Sequence, residues 1–252
     1  MKNSIKIITP FYNAKNFIKK SLTNSLNQNY DNFKVILIND ASTDDSEETY
    51  LDLLELYKDK LIYIKNNNRM GAMFNHQNAV LNYCDENDIV VQVDGDDWLI
   101  DSNVLTYIND FYNKHKCMVM YGQAKYLSGR NGNACPYENE TVFLNKRNYF
   151  KFHVSHVRTF FAKLFHEIKN QDNTLSCFKN NNGDWYQMTC DVAMMYPLME
   201  ICGYEKVKYN DKVLYIYNDS NPIQDYKIDL TLQENIHKEI LNKPVFKLKN
   251  YE

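Results

Sequence analysis

A chain of 252 residues with 44% hydrophobic and 24% charged side chains can bury one large core or two small ones. Its net charge of −3 excludes a general pull toward nucleic acid or anionic membrane, and no apolar run approaches the roughly 20 residues that span a bilayer. Six cysteines without CxxC spacing predict reduced thiols in a cytoplasmic setting, and Lys2, Lys6 and the polar stretch YNAKNFIKKS break any secretory-leader pattern.

In chain order, SIKIIT is a short β-branched strand that Pro10 is expected to stop. From Asn13 to about Asn27, Phe17, Ile18, Leu22 and Leu26 recur at helical spacing. FKVILIND is a buried strand ending at Asn39 and Asp40. STDDSEETYLDLLELYKD opens with Asp44 and Glu47 as a capping pair and then puts Tyr50, Leu51, Leu54 and Tyr57 on one helix face. LIYIK is a third strand, Gly71 to Cys84 a third helix and DIVVQVD a fourth strand. Strands apolar on both faces and separated by helices predict a mostly parallel α/β sheet covered on both sides. Near the C-terminus, LTLQENIHKEILNK places Leu232, Ile236 and Ile240 at helical spacing, which fits a covering or oligomer-forming helix.

The fourth strand ends in VDGDDWL, where Asp94, Asp96 and Asp97 crowd within four residues. Like charges so close require either a cation beside them or a proton on one of them. Carboxylate oxygens suit Mg²⁺ or Mn²⁺, which bring phosphates with them; the plainer alternative is an acidic turn in which Asp97 or Asp101 caps the next helix. Pro10 to Asn13, Asn39 to Asp40 and Asp94 to Asp97 each follow a strand, so in a parallel sheet they meet at the one edge where ligands bind. The first strand–helix turn, TPFYN, has no glycine, and there is no GxxxxGK[ST] loop. Phosphates are therefore expected to be neutralised by a cation held by Asp94 and Asp96, with Asp40 free to accept from a base or ribose and Tyr12 to stack on the base. His153 and His156 lack thiolate companions and do not suggest zinc.

KIITPFYNAKNFIKKSLTNSLNQNYDNFKVILINDASTDDS and VDGDDWL together resemble the opening pattern and DXD motif of family 2 glycosyltransferases with the GT-A fold. The resemblance implies a Rossmann-like, mostly parallel central sheet flanked by helices, with a smaller acceptor-side C-terminal half. It implies a nucleotide-sugar-binding half over 1–100, an acceptor and catalytic-base half over 101–224 and a C-terminal helix and tail over 225–252. Pro10, Tyr12, Asn13 and Asp40 take nucleotide-binding positions, with Gly95 inside the motif. Asp94 and Asp96 take the places of the pair that holds Mn²⁺ or Mg²⁺ on the donor diphosphate. Where many members carry Ala-Arg-Asn in the third helix, GAMFNHQNAV offers His76 and Gln77, and Arg69 is the nearest substitute for the missing arginine.

GDWYQMTCDVAMMYPLMEICGYEKV resembles the region of the catalytic acid pair, with Cys190 in place of its glutamate and Asp191 kept. SHVRTFFAKLF and VLYIYNDSNPIQD resemble segments of a bacterial and viral subgroup, which makes His156, Arg158 and Asn218 candidate phosphate or acceptor contacts, beside Asp97 and Trp98 of VDGDDWL and Trp185 of GDWYQM. For Arg158 a structural ion pair, and for His156 a hydrogen-bonded core position, weigh equally. His237 is a further candidate metal ligand. The implied activity is an inverting, metal-dependent transfer of a hexose from a nucleoside-diphosphate sugar, UDP preferred, to a hydroxyl of a growing glycan, in the cytoplasm (the host's, for a viral protein). Asp191 would be the base for the acceptor hydroxyl. A sugar-nucleotide-binding protein of weak activity and a polyol-phosphate transferase are the alternatives.

Overall fold

The computed structural model describes residues 1–149, 152–222 and 229–251. β1 (Ile5–Phe11), β2 (Phe33–Asn39), β3 (Leu61–Lys65) and β4 (Ile89–Gln92) run parallel in the order β3-β2-β1-β4. The period of two splits their side chains between two cores: Ile8, Ile36 and Val90 pack on one side, Ile7, Val35, Leu37 and Val91 on the other. Both faces need covering, and helices α1 (Ile18–Leu26), α2 (Leu51–Leu56) and α3 (Ala72–Tyr83) link these strands.

The rest of the chain extends the same sheet instead of building another. β5 (Trp98–Leu99), β6 (Val119–Tyr126), β7 (Thr159–Phe161) and β8 (Val207–Tyr217) complete an eight-stranded sheet, β3-β2-β1-β4-β7-β6-β8-β5. Three of its contacts are antiparallel: β7 with β4 and with β6, and β5 with β8; the other four are parallel. Between and after these strands lie α4 (Val104–His115), α5 (Glu140–Leu144), α6 (Lys163–Gln171), α7 (Cys190–Cys202) and α8 (Leu230–Leu241). No helix among the described residues is long and apolar enough to cross a membrane.

Four local expectations are corrected. Pro10 does not stop β1, which runs on to Phe11. Ile8 accepts from Val93 on the β4 side and Phe11 accepts from Asp40 on the β2 side. By alternation Pro10 faces the β4 side, where pairing has already ended at Ile8–Gln92, so its missing N–H costs no ladder bond. α1 begins at Ile18, not Asn13, because Asn13 is left-handed (φ 50°) and Ala14 closes a turn onto Phe17 and Ile18. The second helix is broken into a 3₁₀ turn at Ser46–Thr49 and α2, which turns Leu51 out (53% exposed) and buries Leu53. Asp44 and Glu47 form no capping box there. Asp44 accepts from the N–H groups of Lys15 and Ser46, while Glu47 binds the Tyr63 hydroxyl and Lys65.

α8 follows the expected spacing in part: Ile240 is buried and Ile236 packs on the core, but Leu232 is 43% exposed. The proposed start of the tail at Asp225 lies outside the described residues. α8 is fastened by a buried charge group. Arg147 grips Glu200 of α7 through Nε (2.5 Å) and Nη2 (2.9 Å), and its Nη1 donates to the Ile240 carbonyl at 2.7 Å. Glu200 also accepts from the N–H of Phe246. Removing one partner of a buried pair leaves the other uncompensated, at a cost of about 3–5 kcal/mol. Arg147→Ala is therefore expected to lower the melting temperature and raise amide exchange in α8 first; unchanged exchange in α8 would refute the fastening.

Candidate active site

The ends of β1, β2 and β4 open into a cavity of about 320 Å³. The polar clusters after these strands reach it as expected: Pro10 and Tyr12, Asp40, and Asp94 to Asp97 all line it. The acidic turn can lie this close to β1 because residue 95 is glycine. A Cβ there would come within 2.3 Å of the Phe11 Cβ, so any side chain would push the acids away from the strand end. β7 enters the same edge antiparallel to β4, and the Arg158 carbonyl accepts from Gln92 N–H at 3.1 Å. That direction delivers Arg158 and His156, distant in sequence, beside Asp94.

Arg158 is the cation that the acidic turn demands. Its Nη1 donates to Asp191 Oδ2 at 3.0 Å, and its Nη2 lies 3.7 Å from Asp94 Oδ2 and 3.3 Å from His156 Nδ1. The residue is only 6% exposed. Burial disfavours its charge, but Asp191 and Asp94 overcome this and hold the guanidinium protonated. One cation does not balance the group. Burial lifts the Asp94 carboxyl to about 6, against the pull of Arg158 and with a push from Asp96 and Asp191. Burial also raises Asp96 against its bond from Asn221, and raises Asp97 strongly, helped by Asp96 and Asp94. The sequence posed a choice between a cation and a shared proton. The fold supplies the first and leans toward the second.

Asp191 stands in the first turn of α7 and accepts Val192 N–H on Oδ1, so both its oxygens are engaged and its side chain is 36% exposed. Tyr12 lines the cavity with the Arg69 guanidinium stacked 4.1 Å over its ring. Asp40 is buried, and its carboxylate takes Asn66 Nδ2 and the Met70 N–H on Oδ1 and the Gly71 N–H on Oδ2 at 2.8–2.9 Å, bracing the loop before α3. Asn13 is turned to the loop after β2, accepting from Thr43 N–H and donating to Ser42. His76 lines the cavity from α3, and burial, seconded by Arg158, pushes its pKa down to about 3, so it is a neutral group.

Several candidates serve the frame. Asp97 accepts Asn218 N–H at 2.7 Å, tying the acidic turn to the end of β8; neither it nor Asp101 is the residue preceding α4, which is Asn103. The Asn218 side chain accepts from Ser220. Trp98 does not line the cavity; it is buried in β5 under Lys20 (3.4 Å to the ring centre). Trp185 is likewise outside, edge-on to Phe74 of α3 at 5.6 Å. His153 stacks on Tyr137 and faces Cys135, apart from His156.

Tyr215, Tyr217, Asn221, Gln187 and Gln233 were not singled out in the sequence. Tyr215 stacks on His156 (4.4 Å, 21°) and its hydroxyl accepts Asp94 N–H at 3.1 Å; Tyr217 lines the cavity and Asn221 donates to Asp96 at 2.7 Å. The alternation in VLYIY put both tyrosines on one strand face, which was the available signal. Gln187 and Gln233 complete the wall opposite β1, and Thr189 Oγ1 donates to the Gln233 carbonyl at 3.4 Å, joining α8 to the start of α7.

The description "Glycosyl transferase family 2" matches residues 6–172, about two thirds of the chain. The chain belongs to this family. Glycosyltransferase GlyA of Streptococcus pneumoniae is 31% identical over 112 residues, 44% of this chain and 15% of that protein. Among solved structures, S. aureus TarS 1–349 superposes with a TM-score of 0.63 at 20% identity over 85% of this chain and 60% of that one. The mannosyltransferase PcManGT of Pyrobaculum calidifontis, solved with GDP-Man and Mn²⁺, gives a TM-score of 0.60 at 17% identity over 90% of this chain and 59% of that one. The chain thus spans a minor part of GlyA and about 60% of the two structural relatives. The mostly parallel sheet flanked by helices is the GT-A fold.

A family 2 site invites a divalent ion, and the donor set suits one. Ligand atoms of Asp94, Asp97 and His156 all lie within 4.8 Å of one another. Two carboxylates and an imidazole suit Mn²⁺ well, and burial, with Arg158 next, keeps His156 in the neutral form that a metal requires. The expected partner Asp96 is turned to Asn221 instead, and His237 is not in the group: it is half-buried, near enough to Asp191 to feel its charge.

The surplus negative charge carries a pH signature. The folded pKa of Asp94 lies above its ordinary 3.8, so its contribution to stability is complete below that pH and is lost as pH rises through about 6. Without metal, Asp94→Asn is expected to melt above the wild type at neutral pH and level with it near about pH 4. A wild type more stable than the variant at neutral pH would contradict this.

Proposed function

We propose that the chain transfers a hexose from a nucleoside-diphosphate sugar, UDP-linked by preference, to a hydroxyl acceptor in glycan synthesis, with inversion and with help from Mn²⁺ or Mg²⁺. The observation that carries this is the Arg158 bridge, which sets the acidic turn and the start of α7 on opposite arms of one guanidinium inside one cavity. Such a site has the two things the reaction needs, a place for a departing diphosphate and a carboxylate beside it.

A cation bound by Asp94, Asp97 and His156 would supply charge to the diphosphate as the glycosidic bond breaks. Arg158 offers the same oxygens a planar pair of N–H donors, and Arg69 with Tyr12 offers a stacked face for the base. Asp191 takes the proton of the acceptor hydroxyl, whose oxygen bonds to the anomeric carbon while the diphosphate leaves from the other face. That single displacement inverts the centre. The brace that Asp40 provides under Gly71 and α3 supports the nucleotide side indirectly, through backbone placement. TarS has been solved with UDP and with UDP-GlcNAc, which supports a UDP donor for this chain. The six cysteines form no disulfide, which fits a reducing compartment, and the cytoplasm is the proposed location.

The test is release of free nucleoside diphosphate from UDP-, GDP- and TDP-sugars with Mn²⁺, with and without hydroxyl acceptors. A UDP-sugar should be consumed, chelation should stop it, and Asp191→Asn should lower turnover by about 10²–10⁴. No release from any donor, or near-normal rates in the variant, would overturn the reading.

A further inference from the structure

Asp191 is bound to the wrong partner for a working base. Its Oδ2 takes the Arg158 Nη1 at 3.0 Å and its Oδ1 takes Val192 N–H at 2.9 Å, so the carboxylate is charge-compensated before any acceptor arrives. An acceptor hydroxyl must compete with both donors for these oxygens. Arg158, for its part, is not fully spent. Its Nε is buried and has no hydrogen-bond partner, and its contact to Asp94 is a long 3.7 Å. Among the described residues, five carboxylates and two guanidinium groups line the cavity, and the second guanidinium, Arg69, is exposed and stacked on Tyr12. Of these two cations, the buried one is the one now holding the base.

We propose that Arg158 is a donor-released clamp: it holds Asp191 until a donor diphosphate draws the guanidinium away, so that Asp191 is freed only in a loaded site. The clamp rests on the donor reading above and deepens it. A diphosphate presents more charge and more oxygens than one carboxylate, and the guanidinium fork matches it in two bonds. The exchange needs no backbone movement, because the Arg158 carbonyl is fixed to Gln92 N–H while the side chain alone swings. The order of binding follows: donor first, then acceptor. Arg158 is a positioning residue toward Asp191 and a ligand toward the diphosphate.

The clamp predicts a thermodynamic coupling that needs neither acceptor nor turnover. Calorimetric titration with UDP or GDP and Mn²⁺ is run on the wild type, Asp191→Asn, Arg158→Gln and the double variant. Asp191→Asn should bind the nucleotide about three- to tenfold tighter, because the guanidinium no longer has to be pulled off a carboxylate. On the Arg158→Gln background the same change should alter affinity by less than about twofold. If Arg158→Gln does not fold by its melting curve, Arg158→Lys replaces it, since a lysine cannot keep both arms of the bridge and should shrink the gain. An equal gain in both backgrounds would mean that Asp191 only repels the diphosphate, and no gain or a loss would mean that nothing is released; each overturns the clamp while the donor reading stands. No binding of any nucleoside diphosphate by the wild type would remove the donor reading and the clamp together.

Discussion

A single buried guanidinium joins the acidic turn after the fourth strand to the start of α7. Arg158 touches Asp94 from the end of the fourth strand and Asp191 from the start of α7, with His156 at its side. Without that cation, Asp94, Asp96 and Asp97 would keep only neutral partners, such as Asn221 on Asp96 and the Asn218 N–H on Asp97. With it, the acids stay close, and their raised pKa values record burial first and, for Asp94 and Asp97, repulsion from neighbouring carboxylates next. The site is therefore held under electrostatic tension that a divalent ion would relieve and a diphosphate alone would worsen. Arg158 is the turn's first cation, and under the proposed function a metal ion would be the second, ahead of an anionic ligand.

The fold makes this meeting possible through one reversal of direction. Four parallel strands put their polar ends on one edge, which any α/β sheet does. β7 then runs the other way, so the residues just before it arrive at that same edge. β8, again parallel to β6, brings Tyr215 against Asp94 and Tyr217, with Asn221 after it, to the cavity lining, and α8, fastened through Arg147 and Glu200, adds Gln233. Half of the site is thus built by local strand–turn geometry and half by long-range topology.

That division explains what could be read in the sequence. β2, β3, β4 and the cluster at Asp94 to Asp97 were legible because strand period, apolar runs and charge density are local signals. Pro10 misled because whether its missing donor matters depends on where β4 stops pairing, and no local pattern carries that. Leu51 misled because a single break at Tyr50 rotates the helix face. Asp40 also braces Asn66, Met70 and Gly71, contacts fixed by how the loop folds back and carried by no local pattern. Arg158 was balanced between an ion pair and a ligand site, and the structure makes it an ion pair with both ends in the site. Tyr215 and Asn221 went unnoticed because their partners lie more than a hundred positions away.

β1 outlasts its neighbour. It pairs with β2 through Phe11, while pairing with β4 ends at Ile8 opposite Gln92, leaving Thr9, Pro10 and Phe11 with no strand on that flank. The vacated lane is where Gly95 tucks against Phe11 and where the acids stand. The depth of the chamber is thus a mismatch in strand length, and Pro10, with no N–H to offer another strand, helps keep the gap from zipping shut.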